Sequence, residues 1–235
     1  MNYKILQLEL KKKSSEERAL RTISFFKTGK GQYSEGDIFI GVSNPDIREI
    51  AKIYLQTSIK DLVKLLKSPI HEERLLSLIL MVNQFKKGDK QLRIELFNTY
   101  TKNRAFVNNW DLVDLSSPIL LGDFCLENND HEFMDELLNS TRHWDRRMAI
   151  VGTLSFIRNS ETKLTFVYAQ KLLNDKEDLM HKATGWMLRE AGKRDEKALR
   201  KFLSLHGKKM PRTMLRYAIE KFSEKERQKI LMITR

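Results

Sequence analysis

The sequence predicts an all-α protein, a stacked helical-repeat solenoid (αα superhelix) whose inner helices line a concave basic groove. Three observations predict it. From Lys60 onward the apolar residues recur at helical spacing, and strand signals are nearly absent. The few breaks recur regularly. His71-Glu72-Glu73-Arg74, Asn109-Trp110-Asp111-Leu112-Val113-Asp114 and His143-Trp144-Asp145-Arg146-Arg147 start 38 and then 34 residues apart, and looser copies begin at Met180 and Pro211. Each copy is led by another apolar-patterned segment: Ile59–Leu66, Arg93–Tyr100, Glu132–Leu138, Thr165–Leu173 and Lys197–Leu203. Two helices per unit at such a period mark a stack in which no unit buries its apolar face alone and neighbours supply the core.

The elements follow in order from local chemistry. The expected domain is single, 1–235, with an N-terminal helical part over 1–58 and repeats from about 59. Ile5-Leu6-Gln7-Leu8-Glu9-Leu10 is amphipathic, and Ser14 or Ser15 starts a second helix through Ala19 and Leu20. The stretch 27–41 carries Gly29, Gly31, Gly36 and Gly41 with Lys27 and Lys30, and reads as a mobile basic loop. It lacks the Gly-Lys-Ser/Thr of a nucleotide-binding loop. Ser43 or Asn44 caps the next helix, Pro45 suits its first position and Asp46 its first turn, and the helix runs to about Tyr54. Arg48 and Lys52 fall one turn apart on it, as a solvated face or as contacts to phosphates.

Composition narrows the class. Of 235 residues, 41% are hydrophobic and 31% charged, an ordinary globular balance rather than a disordered one. Lys and Arg number 43 against 31 Asp and Glu, a formal charge of +12, which points to a polyanion, most often nucleic acid. No run of 18 apolar residues exists, and Met1-Asn2-Tyr3-Lys4 begins no apolar leader, so neither a membrane span nor a secretory signal is expected. A single cysteine, Cys125, excludes an internal disulfide and fits a reducing, cytoplasmic setting; in Leu120-Leu121-Gly122-Asp123-Phe124-Cys125 it reads as a small buried hydrophobe. The five histidines, His71, His131, His143, His181 and His206, form no metal-ligand spacing, so no metal is expected and each reads as a surface or groove residue.

The chemistry concentrates near the middle of the chain. Trp110 and Asp114 lie four apart, so a helix sets an indole beside a carboxylate. Taken alone, the pair reads as core plus a solvated acid. In a repeat stack the second helices face one groove, the surface expected to carry Arg74, Trp110, Asp114, Arg147, Trp186 and Arg189. Two tryptophans on a basic groove call for something to stack against them. Asp111 and Asp145 are explained as first-turn acids.

Four stretches in order resemble one family. They are Gly31–Val42 leading to Pro45, Asn109-Trp110-Asp111-Leu112-Val113-Asp114, Trp144-Asp145-Arg146-Arg147, and Lys182-Ala183-Thr184-Gly185-Trp186-Met187-Leu188-Arg189-Glu190. Together they are similar to the HEAT-like-repeat DNA glycosylases that remove alkylated purines, the bacterial DNA alkylation repair enzymes of the AlkD type. The resemblance implies a HEAT-like solenoid, duplex DNA as partner, and base excision without a cofactor. It implies Asp114 as catalytic carboxylate, Trp110 and Trp186 as aromatic walls against the lesion's deoxyribose, and Arg147 as a phosphate contact. Arg48, Lys52 and Arg189 match positions that touch the DNA backbone. The family also has a tyrosine on an early helix; here Ile23-Ser24-Phe25-Phe26-Lys27 stands in its place, and Phe25, Phe26 and Tyr33 are all candidates.

The residue inventory suits that chemistry. O-glycoside hydrolysis usually takes two carboxylates, one of them an acid for the leaving oxygen. A purine alkylated at N3 or N7 already carries positive charge and leaves without such an acid, so one carboxylate suffices. The expected protein is a monomeric glycosylase for 3-methyladenine and 7-methylguanine. The alternative is a catalytically silent repeat protein that binds damaged or branched DNA.

Overall fold

A computed structural model of the chain describes residues 3–234. Met1 and Asn2, where the absence of a leader was read, and Arg235, the end of the expected repeat array, lie outside the described residues. The fold is all-α, as the periodicity requires. Among the described residues the only β-type pairing is one isolated parallel bridge, Ile38 to Ile70. The chain forms two compact units, residues up to Leu120 and residues from Leu121.

The first unit contains α1 (Tyr3–Lys12), α2 (Glu16–Phe26), α3 (Asn44–Ile53), α4 (Ile59–Leu66), α5 (His71–Lys87), α6 (Lys90–Lys102) and α7 (Trp110–Ser117). Caps set the boundaries. Ser15, Ser43, Ser58 and Asp89 each accept a hydrogen bond from an amide in the first turn of the helix they precede. The central element is α5, against which α1, α3, α4, α6 and α7 pack. It is buried along most of its length, and its buried Ser77 hydroxyl donates to the Leu62 carbonyl at 2.7 Å.

The stretch 27–41 is loop and turn, as its glycines and lysines predict, and two acids with buried side chains fix its second half. The Glu72 carboxylate accepts from the amides of Ile40, Gly41 and Val42 at 2.7–3.4 Å. Asp37 is held by Arg74 at 2.5 Å and by Asn109 at 3.2 Å. Gly41 is required here: its φ is +73°, and a Cβ would lie 2.1 Å from the Ser15 carbonyl. That approach sets the start of α2 against the loop.

The second unit contains α8 (Phe124–Glu127), α9 (Glu132–Leu138), α10 (His143–Arg158), α11 (Lys163–Lys171), α12 (Asp178–Arg194), α13 (Glu196–His206), α14 (Arg212–Ala218) and α15 (Glu224–Ile233). A π-helical segment, Pro118–Asp123, precedes α8. The pairs α9/α10, α11/α12 and α13/α14 reproduce the two-helix units read from the spacing, and α4/α5 and α6/α7 do so in the first unit. In this unit α10 packs on α9, α11 and α12, and α12 packs on α11, α13 and α14. At the α12/α14 contact a Cβ on Gly185 would sit 2.5 Å from the Met214 carbonyl, so the two backbones nearly touch. Cys125 is buried, and burial together with the nearby Asp130 charge pushes its thiol up to about 12, as suits a packing residue. No described helix is long and apolar enough to cross a membrane.

Candidate functional site

In α7 the burial pattern separates two faces. Leu112, Val113, Ser116 and Ser117 are buried, while Trp110, Asp111, Asp114 and Leu115 are half-buried. That is the period of a helix lying on the core, with Trp110 and Asp114 on its outer stripe. On the inner side Ser116 meets the Tyr100 hydroxyl at 3.0 Å.

The N-terminus of α7 is fixed by a buried polar cluster. Asn109 is fully buried; its side-chain oxygen accepts from the Trp110 amide at 2.8 Å, and its Nδ2 donates to Ser34 at 2.5 Å. His71 lies beneath, with Nε2 2.8 Å from Asp111 and Nδ1 3.4 Å from Asp37. It is 2% exposed, not the surface or groove residue its spacing suggested. Burial by itself lowers its pKa, but the hydrogen bonds to Asp111 and Asp37 and the Asp111 charge win and raise it to about 9. Asp37 is held down to about 2 against its own burial by the hydrogen bond from His71 and the Arg74 charge. Asp111 is therefore more than a first-turn acid; it bridges α7 to α5.

An aromatic stack carries this order to the surface. Phe39 stacks on His71 with centroids 4.7 Å apart, Phe26 stacks on Phe39 at 5.0 Å, and Trp110 stacks on Phe26 at 5.4 Å with planes 16° apart. Phe25 meets Trp110 edge-on at 6.0 Å and is 64% exposed, whereas Phe26 is buried. Of the three early aromatics, then, Phe26 holds Trp110 from within the fold and Phe25 stands beside it in solvent. Tyr33 instead donates its hydroxyl to the Phe25 carbonyl at 3.4 Å. Arg48 and Lys52 are exposed one turn apart on α3, and neither has an acidic partner among the described residues.

In the second unit Trp186 is half-buried on α12. It lines a cleft with Leu154, Ile157 and Arg158 of α10 and Glu190, Lys193 and Arg194 of α12. Arg189 is ion-paired with Glu220 and lies 3.4 Å from Glu190. Arg147 is 5% exposed and donates from Nη1 to the Leu179 carbonyl at 2.5 Å. Its neighbour Arg146 is taken up by Asp175, at 2.6 Å, and by the carbonyls of Ser140 and Thr141.

Sequence reasoning missed the Asp37–His71–Asp111 chain and the exposed basic residues of the Trp186 cleft. The first left no signal, because its members are 34 and 40 residues apart. The second had one: Arg158 and Arg194 lie at +4 and +7 from Leu154 and Met187, within the periodicity already read. Among the described residues no three His, Cys, Asp or Glu side chains gather to hold a metal ion.

Comparison with known proteins bears on this arrangement. The solved structure described as a predicted DNA alkylation repair enzyme from Enterococcus faecalis superposes with a TM-score of 0.69, over 90% of this chain and 98% of that one, at 14% identity. That likeness concerns the fold. No curated protein matches the chain. The sequence model of the family described as DNA alkylation repair enzyme matches residues 6–222, nearly the whole length. The chain belongs to the DNA alkylation repair enzyme family.

Proposed function

We propose that the protein is a DNA N-glycosylase that excises cationic alkylated purines, 3-methyladenine and 7-methylguanine, from duplex DNA in base excision repair. The observation that carries this reading is the outer stripe of α7, where Trp110 and Asp114 stay half-buried one turn apart. Membership in a DNA alkylation repair family and a charge of +12 support a DNA substrate.

The reaction needs few parts. The alkylated purine is already positive and leaves with the electrons of its glycosidic bond, so it becomes neutral as the sugar becomes oxocarbenium-like. Asp114 stabilises that cation and orients water, which attacks the anomeric carbon and releases its proton to solvent. Trp110 presents a π-face to the deoxyribose, contributing about 0.5–2 kcal/mol at a developing cation, and the family resemblance assigns the same role to Trp186. Phe25, beside Trp110, takes the place of the family's early aromatic. The exposed Arg48 and Lys52 contact backbone phosphates, and Arg147 and Arg189 do so by exchanging the Leu179 carbonyl and Glu220 for phosphate oxygens. The working form is a cytoplasmic monomer that needs no cofactor.

The test is release of 3-methyladenine and 7-methylguanine from methylated duplex DNA by the purified protein beside Asp114→Asn. Release by the parent alone, with duplex affinity retained or raised in the variant, supports the assignment. Equal release by both sinks Asp114's role. Tight duplex binding without release by either points to the silent binder, with branched DNA the next ligand to try.

A further inference from the structure

The cleft beside Trp186 holds more positive charge than its own acids balance. Its polar lining is Arg158 from the last turn of α10, and Glu190, Lys193 and Arg194 from α12. Lys193 spends its charge on Glu190, at 2.7 Å. Arg158 and Arg194 are exposed, and neither has an acidic partner among the described residues.

Arg189 is different. It stands on the same helix but is ion-paired with Glu220 and close to Glu190, so much of its charge is already answered.

A basic residue at a helix C-terminus is favourable by itself, because the last carbonyls carry partial negative charge. That accounts for one arginine at each helix end. It does not account for two unpaired guanidinium groups lining one cleft, where like charges repel. Leu154 and Ile157 supply apolar lining, and Trp186 supplies an aromatic face. An aromatic surface bordered by uncompensated arginines suits a nucleic acid strand, which offers a sugar or base to the ring and phosphates to the cations. Trp186 and Arg194 are eight residues apart on one helix, about 12 Å of rise, which spans roughly two nucleotides of a strand.

We propose that Arg158 and Arg194 form a phosphodiester-binding subsite for the strand that passes Trp186. It takes the duplex backbone about two nucleotides from the residue stacked at Trp186, irrespective of base sequence. This subsite rests on the glycosylase reading for its substrate, but it makes its own prediction about binding.

The experiment measures affinity for an unmodified duplex against salt concentration for the parent and for Arg158→Gln/Arg194→Gln. Glutamine keeps much of the side chain and removes the charge. Each phosphate contact contributes close to one unit to the slope of log K against log salt, so the double variant is expected to lose about two. Arg158→Lys/Arg194→Lys should keep most of the slope. Lys225→Gln on α15, which removes a charge outside the cleft, should leave it unchanged.

Thermal melting checks that each variant is folded. If the glutamine pair fails to fold, the single variants carry the test, each expected to lose about one unit of slope. A double variant that is folded, still releases methylated bases and keeps the parent slope overturns the subsite while leaving the glycosylase reading intact. A parent that neither binds duplex nor releases bases overturns both.

Discussion

His71 combines burial with charge. Its imidazolium is favoured by Asp111 and Asp37 and opposed by burial and by Arg74, with a folded pKa of about 9 against an ordinary value of 6.5. A raised folded pKa contributes stability that is fully present below 6.5 and lost as pH rises through 9. Asp37, lowered to about 2 from 3.8, contributes above 3.8 and loses its share as pH falls through 2. Stability should therefore decline between pH 6.5 and 9 by on the order of 1–3 kcal/mol, and the melting temperature should fall with it. In His71→Gln that alkaline slope should vanish, with the largest loss of stability near pH 6. Melting curves from pH 5 to 10 on both proteins decide it, and an unchanged slope in the variant would refute the ion-paired imidazolium. Phe25 offers a complementary case. Because it is 64% exposed, Phe25→Ala should barely change the melting temperature yet slow base release several-fold by removing the edge contact to Trp110. Single-turnover excision beside a melting curve separates the two effects.

At the scale of elements, close backbone approach places α12 and its tryptophan. Gly185 faces the Met214 carbonyl and the Tyr217 Cβ at 2.5 and 2.6 Å from a hypothetical Cβ, so Gly185→Ala forces α12 away from α14. Overpacking of this kind costs about 1–3 kcal/mol. Trp186 is the next residue, and the shift should reduce base release beyond what the loss of folded protein explains. Chemical denaturation and excision at saturating enzyme would show this, and a variant with parental stability would mean that the contact relaxes freely. The helices themselves were legible from local signals. Ser15, Ser43, Ser58 and Asp89 act as the caps their residue types suggest. The anchoring of the stretch 27–41 was not, because glycines and lysines read as loop whether or not a buried Glu72 and Asp37 hold their backbone.

For the whole molecule the excess of positive charge predicts that duplex binding, if the protein acts as proposed, is steeply salt-dependent. Removing exposed and buried arginines should differ in a measurable way. Arg48→Gln/Lys52→Gln, on the exposed face of α3, should lower the salt slope by about two and leave the melting temperature unchanged. Arg147→Ala should weaken binding and also lower the melting temperature, because Arg147 is 5% exposed and its loss leaves the Leu179 carbonyl without that donor. Affinity across a salt series, paired with thermal melts, distinguishes the two patterns. A parental melting temperature for Arg147→Ala would show that its burial contributes little to the fold.

The sequence by itself determined the helical class, the two-helix period and the common stripe of Trp110 and Asp114, since each depends on residues within a turn or two and on a spacing the chain carries locally. Tertiary structure alone decided which side chains pair: Asn109 with Ser34 across 75 residues, His71 with Asp111 across 40, and Arg189 with Glu220 across 31. Those pairings separate Phe26, packed behind Trp110, from Phe25, exposed beside it, and leave Arg158 and Arg194 without an acid among the described residues. A charge or a ring acquires its role from its neighbours in space, and distant residues become neighbours only when the chain folds.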